Sequence, residues 1–358
     1  MIFGRFAIFL GKTHQQNIYY MKSTVLALLI SLIFFSFSFA QGDSEPIAQE
    51  LRDRLKTDSF RVGVLLQNQL DVALQDDGFL GGSKFDLGAT RLDIRGIVDQ
   101  GFTYRFQVDF RRQVSIMDAQ VGYRASDSFR VVAGAFKPFL SIDLDPGPGD
   151  THFISRARQV GAMMNSREIG VTFLGDTEFF NYRLGIYNGT ALTRQNNDRF
   201  LYTLRLGFNL LNDENNHLEV GINGAYDENN GWRMGNTGLT QTSDRVLYGG
   251  FLRYDGGGVF GAAEFLQNRF DALELGNQEE TTTGFFATLG FRPTSKNEVL
   301  ARWDHLSFDV RGDSSELLTL GWNHQATSLI SFQVNVIAQL NDDMDDQFGL
   351  SGLIQYQF

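Results

Sequence analysis

The sequence contains no cysteine, which excludes disulfides, thiolate chemistry and cysteine-based metal sites. It also lacks an excess of basic residues: 31 Lys and Arg stand against 42 Asp and Glu, for a net charge of −11. A chain that grips a phosphate backbone shows a basic face, so nucleic acid is not an expected partner. Histidines are few. Beyond residue 40, His152, His217, His305 and His324 are scattered over different strands and connections. Asp304 and His305 adjoin, but neighbours in a strand point to opposite faces, and no triad arrangement is recognisable. No enzyme activity and no cofactor are expected. Asp143, Asp145 and Asp150 do not match the twelve-residue calcium loop, so no metal is assigned. After the first forty residues no apolar run is long enough for a membrane helix, and any spanning structure could only be a closed barrel.

The amino-terminal region reads as export. From Met21 a basic start, Met21-Lys22-Ser23-Thr24, leads into an apolar stretch from Val25 to Phe37 and then Ser38-Phe39-Ala40. That is the plan of a secretory signal peptide over 21–40, with small residues before the cut. The run is short for a span of roughly 20 residues, and no basic stop-transfer cluster follows. Residues 1–20 read as an upstream extension, because Met21 begins a complete signal unaided. Position 41 is Gln rather than Cys, so no lipid anchor is indicated. Removing 1–40, which carry Arg5, Lys12 and Lys22 and no acid, takes the net charge to −14. Residues 41–59 are polar, with Ile47, Leu51 and Leu55 at four-residue spacing, and read as a periplasmic lead-in or a short amphipathic helix.

What the chain does have is glycine, phenylalanine and alternation. The 38 Gly and 33 Phe against 5 Pro suit a sheet of short strands closed on itself. From 60 to 358 we expect about sixteen strands, near 60–75, 85–97, 101–111, 116–125, 128–138, 167–175, 178–188, 200–210, 216–226, 244–254, 258–269, 282–293, 296–306, 315–325, 328–340 and 347–358. Each is close to the roughly 9–11 residues that cross a bilayer. The alternation is clear in 102–110, where Phe102, Tyr104, Phe106, Val108 and Phe110 oppose Thr103, Arg105, Gln107 and Asp109. It is ambiguous in 128–138 and 244–254. The last strand places Phe348, Leu350, Ile354, Tyr356 and the terminal Phe358 on one face, which resembles the terminal signal of bacterial outer-membrane barrels. Short links, such as 98–100, 126–127 and 294–295, alternate with mostly longer ones, such as 76–84, 139–166 and 227–243. Periplasmic turns and extracellular loops sort in this way, and a soluble sandwich has no reason to. The expected fold is therefore all-β: a transmembrane antiparallel up-and-down β-barrel behind a signal peptide.

If the apolar parity meets lipid, the polar parity lines the interior, and sixteen strands enclose water. Tyr104, Tyr123, Tyr182, Trp303, Trp322 and Tyr356 suit interfacial girdles. The inner parity carries Arg91, Arg95, Arg105, Arg111, Arg124, Arg183, Arg205 and Arg302, beside Asp93, Asp109, Asp118, Glu168, Glu219 and Asp304. Basic groups inside a channel select anions, and guanidinium forks suit phosphate oxygens. The same arginines could instead pair with neighbouring carboxylates and brace the wall. The connection 139–166 exceeds the ordinary loop length. Folded inward, it would narrow the pore and bring Arg156 and Arg158 to the constriction; left outside, it would be a surface flap.

The stretches Phe102-Thr-Tyr-Arg-Phe-Gln-Val-Asp-Phe110, Asp118-Ala-Gln-Val-Gly-Tyr123, Val131-Val-Ala-Gly-Ala-Phe-Lys-Pro-Phe139, Arg167-Glu-Ile-Gly170 and Leu184-Gly-Ile-Tyr-Asn-Gly189 resemble successive landmarks of the phosphate-selective porin O and P family. The resemblance implies a trimeric channel in the outer membrane of a Gram-negative bacterium, with a third loop folded inward and arginines and lysines guiding anions. Lys137 and Arg167 match landmark positions. Lysines are few here, a departure from the lysine-rich entrance associated with phosphate specificity. The expected partners are small anionic solutes, phosphate or polyphosphate among them, outer-membrane lipid, two further copies of the chain, and the barrel assembly machinery through the strand ending at Phe358. The competing expectations are a structural or adhesive barrel with a blocked lumen and, more remotely, an outer-membrane hydrolase.

Overall fold

Alternating side chains become strand along nearly the whole length expected to carry it. The computed structural model describes residues 54–57, 59–74, 78–193, 198–341 and 345–358. The leader expected at 21–40 and most of the lead-in expected at 41–59 lie outside the described residues. In chain order the strands are β1 (Arg61–Ala73), β2 (Lys84–Asp99), β3 (Phe102–Asp109), β4 (Ser115–Ser126), β5 (Phe129–Phe136), β6 (Glu168–Asp176), β7 (Phe180–Tyr187), β8 (Leu201–Asn212) and β9 (His217–Glu228). There follow the two-residue β10 (Trp232–Arg233), then β11 (Thr240–Asp255), β12 (Val259–Ala272), β13 (Gln278–Thr294), β14 (Asn297–Phe308), β15 (Ser314–Gln325), β16 (Ile330–Asn341) and β17 (Gln347–Gln357).

Apart from β10, sixteen strands pair antiparallel with their neighbours in sequence, β9 joining β11 directly. β17 returns to β1, with Leu65 opposite Gln357. Phe358 N–H donates to Val64 O at 2.9 Å, and Val64 N–H donates back at 3.2 Å. The wall is thus closed and presents no free edge, as a spanning sheet requires. Both ends of the barrel chain lie at the end of the short turns 100–101, 127–128, 177–179, 213–216, 256–258, 295–296 and 326–329. The opposite end carries the longer connections, among them 74–83, 137–167, 188–200 and 229–239. The two-residue hairpin from β2 to β3 turns on Gln100 and Gly101, both with positive φ (41° and 88°), the backbone that matches strand twist in a two-residue loop.

Burial sorts the two faces in the sense opposite to a soluble protein. Outward Phe102, Phe106, Phe208, Ile222, Leu289 and Leu320 are exposed, whereas inward Gln107, Asp109, Asn223, Asn335 and Ser351 are buried. Near the short turns Tyr104 OH and Tyr182 OH reach the carbonyls of Ser59 and Ser128, as amphipathic rings at an interface do.

The interior is not lined by polar groups alone. The connection 137–167 folds inside and brings Leu140, Leu144, Val160 and Met163 against the inward side chains Phe136, Tyr187, Leu247 and Leu266. It contains one short helix, α1 (Arg158–Met163). This explains the ambiguous parity of β5 and β11: their inner faces meet packed protein, so both faces are apolar. Gly134 on β5 has φ 127°, and a Cβ there would press on the Ala119 carbonyl of β4, so the two backbones approach there as only glycine allows.

Candidate functional site

Inward carboxylates and amides hold the connection 137–167 across the lumen. Glu264 on β12 accepts four hydrogen bonds: Ser141 Oγ at 2.5 Å, Ile142 N at 3.0 Å, Gln159 Nε2 at 2.8 Å and Asn223 Nδ2 at 2.7 Å. Asp304 on β14 accepts from Arg158 N at 3.1 Å. The carbonyls of 148–152 are met by side-chain amides: Gln67 reaches Pro148 O at 2.9 Å, Gln355 reaches Gly149 O at 2.9 Å, Gln333 reaches Thr151 O at 2.8 Å and Asn323 reaches His152 O at 2.9 Å. Asn335 Oδ1 accepts from Ile154 N at 3.0 Å. A buried loop leaves its backbone groups unpaired unless the wall supplies partners, and here it does. The connection 229–239 also turns inward, Asn236 N donating to Gly161 O of α1 at 2.9 Å.

On the long-connection side of this loop lies a cavity of about 450 Å³. Its lining includes Arg91, Arg111, Lys137, Arg156, Arg158 and Arg167, and no acidic residue. On the other side a cavity of about 480 Å³ mixes Arg156, Arg183, Arg253 and Arg302 with Asp143, Asp176, Glu219 and Asp255. Arg156 belongs to both, so it stands where the two spaces meet. A third space of about 570 Å³ adjoins the second through Thr151 and His152 and is rich in amides, including Asn323, Gln333, Gln355 and Gln357.

The eleven basic residues expected at the site divide accordingly. Arg95, Arg105 and Arg205 line none of these three spaces. Arg105 sits 2.8 Å from Asp93 and 3.3 Å from Asp118, Arg205 lies 2.7 Å from Asp145, and Arg95 lies 3.8 Å from Asp93. These cations brace the wall and the loop. Arg183 pairs with Asp176 at 2.6 Å, and Arg302 lies 3.7 Å from Asp304. In the outer cavity Arg91 is 3.1 Å from Asp109, Arg167 is 2.5 Å from Asp118, and Arg158 is 3.9 Å from Asp304. The carboxylates are drawn back into the wall and the guanidinium groups stand in front of them.

Three of these eleven make no ion pair among the described residues, and all three line the outer cavity: Arg111, Lys137 and Arg156. Arg156 donates to the carbonyls of Asp143 and Pro146. Lys137 Nζ donates to the carbonyls of Leu144, Asp145 and Pro146. Burial, with Arg156 and Arg167 nearby, pushes the Lys137 ammonium down to about 7. Arg111 was expected at the end of a strand, but β3 stops at Asp109 and leaves it exposed in the connection 110–114. Residues that parity does not reveal also line the cavity: Met117, Leu144, Val160, Met164 and Asn236. Met117 sits at a bulge, where Gln107 pairs with Asp118 and Val108 with Ile116.

The family model for phosphate-selective porin O and P matches residues 62–358. No curated protein matches the chain in sequence. Among solved structures, an anion-selective porin from Comamonas acidovorans superposes with a TM-score of 0.63 at 12% identity, covering 84% of this chain and 99% of that one. OmpT, an outer membrane protein of Vibrio cholerae in a trimer form, gives 0.62 at 11%, covering 84% and 99%. The outer membrane channel DcaP of Acinetobacter baumannii gives 0.60 at 11%, covering 85% and 99%. With the family model spanning the entire barrel, the chain belongs to the phosphate-selective porin O and P family and is an outer-membrane diffusion channel.

Proposed function

We propose that the barrel passes small anions, drawn into the outer cavity by Arg91, Arg111, Lys137, Arg156, Arg158 and Arg167 and handed past Arg156 toward the periplasm. The carrying observation is a cavity lined by six cations and no acid in a chain of net charge −11. Asp109, Asp118 and Asp304 behind the lining pair with Arg91, Arg167 and Arg158, so the excess rests on Arg111, Lys137 and Arg156, and in a confined space with low-dielectric walls it favours anions. Phosphate and polyphosphate are candidate solutes, and the working unit is a homotrimer, a form in which the similar Vibrio cholerae protein has been obtained. We read the protein as a channel rather than an enzyme. In planar bilayers under a potassium chloride gradient, the reversal potential should have the sign of chloride preference. Replacing Arg111 and Arg156 together by glutamine should move it toward zero. A cation-selective channel would refute the proposal, and a barrel without conductance would favour the blocked lumen.

A further inference from the structure

The outer cavity has a lining of two kinds: six cations, and the apolar Met117, Leu144, Pro148, Val160 and Met164. The cations supply strong charge, but much of their donor capacity is already committed. Lys137 spends its three N–H bonds on loop carbonyls, Arg156 is turned to the carbonyls of Asp143 and Pro146, and Arg158 is held by Ser315. What remains for a ligand is the Arg111 guanidinium, the uncommitted N–H groups of Arg156, and single edges of Arg91 and Arg167, which otherwise serve Asp109, Gln107, Asp118 and the Ser166 carbonyl. A phosphate presents acceptors in every direction and loses hydration on the side that meets thioether and aliphatic carbon. A carboxylate needs donors along one edge only, and a hydrocarbon body behind it covers the apolar lining.

Resting on the anion-channel reading, we propose that the outer cavity is a binding site for organic carboxylates with a short hydrocarbon body, held charge-first against Arg111 and Arg91 with the chain on Met117 and Val160. The half-buried Met117 belongs to none of the apolar clusters that hold the loop, so its side chain is available to a solute without disturbing the fold.

The test is block of chloride current through the purified channel by acetate, butyrate, hexanoate and phosphate, each added at one pH and ionic strength. The expected result is tighter block along the carboxylate series, roughly two- to fourfold per added methylene, with hexanoate exceeding phosphate. Met117→Gln should flatten that series. A series flat in the wild type, phosphate binding more tightly than hexanoate, or a slope that persists unchanged in Met117→Gln would each overturn the proposal. The reversal potential, read on the same membranes, separates the two readings. Chloride preference with a flat series removes only the organic-carboxylate site, whereas cation preference removes the anion channel as well.

Discussion

Glu264 is the point at which the loop can be loosened without opening the wall. Its two oxygens serve Ile142 N and Asn223 Nδ2 on one side and Ser141 Oγ and Gln159 Nε2 on the other. Glu264→Gln is expected to be mild. The Ser141 hydroxyl can rotate, and Gln159 can turn over, because its Oε1 has no other hydrogen-bond partner. Only charge assistance is then lost, about 1 kcal/mol. Glu264→Leu fills similar space but accepts nothing. The Ile142 N–H cannot turn away, and three side-chain groups lose their partner, each unpaired donor costing about 1–3 kcal/mol before water relieves part of it. The net loss is on the order of 4 kcal/mol, so the two variants differ by roughly 3 kcal/mol, or about 100-fold in the population of displaced loop. Single-channel recordings should show Glu264→Gln near wild type and Glu264→Leu noisy, with several conductance levels and a reversal potential nearer zero. Heat-modifiable mobility on gels should confirm a folded barrel in both. A Glu264→Leu channel as quiet and selective as wild type, or two variants equally disturbed, would show that the carboxylate does not seat the loop.

Lys137, held near 7, adds a positive charge to the outer cavity below that pH and is neutral above it. Anion preference measured by reversal potential should therefore fall as pH rises from 6 to 8, and Lys137→Met should abolish the change. Arg111→Gln should lower anion preference with a stability change within about 0.5 kcal/mol, since its side chain is exposed and unpaired among the described residues. Arg167→Gln instead strips a nearly buried carboxylate, Asp118, of its 2.5 Å partner. With Arg105 still 3.3 Å away, it should cost about 2–3 kcal/mol, read as a lower melting temperature of the folded form. Gly134→Ala adds about 1–3 kcal/mol of backbone strain at φ 127° and a clash with β4, so the folded band should be depleted.

The wall was legible in the sequence because lipid and water impose the same test on every second residue, and the sixteen strands follow it closely. Phe102 to Phe110 could be assigned to faces by inspection. The rule lost its grip at β5 and β11, where Val132, Phe136, Leu247 and Phe251 face a packed loop rather than water. Arginine identity was legible, but arginine role was not. Arg105 and Arg111 share one parity in the sequence, yet Arg105 is bound between Asp93 and Asp118 while Arg111 has no ion pair among the described residues. That distinction depends on which carboxylate lies across the strand, and register cannot be read from one strand alone. Met117 was hidden for a related reason, since a bulge turns a residue against its own parity. Gln67, Gln355 and Gln357 are polar residues in strands, but nothing in one dimension says that they grip a loop some 80 or 200 positions away.

Gln67 of the first strand and Gln355 of the last are 288 positions apart and bonded to each other at 2.7 Å while both grip 148–149. Those two strands meet only when the cylinder shuts. The plug segment therefore cannot settle into its final berth on an unfinished wall, and its backbone at 148–149 stays ungripped until the final seam forms. Proteolytic nicking within 137–167 would thus mark barrels that are inserted but not yet sealed.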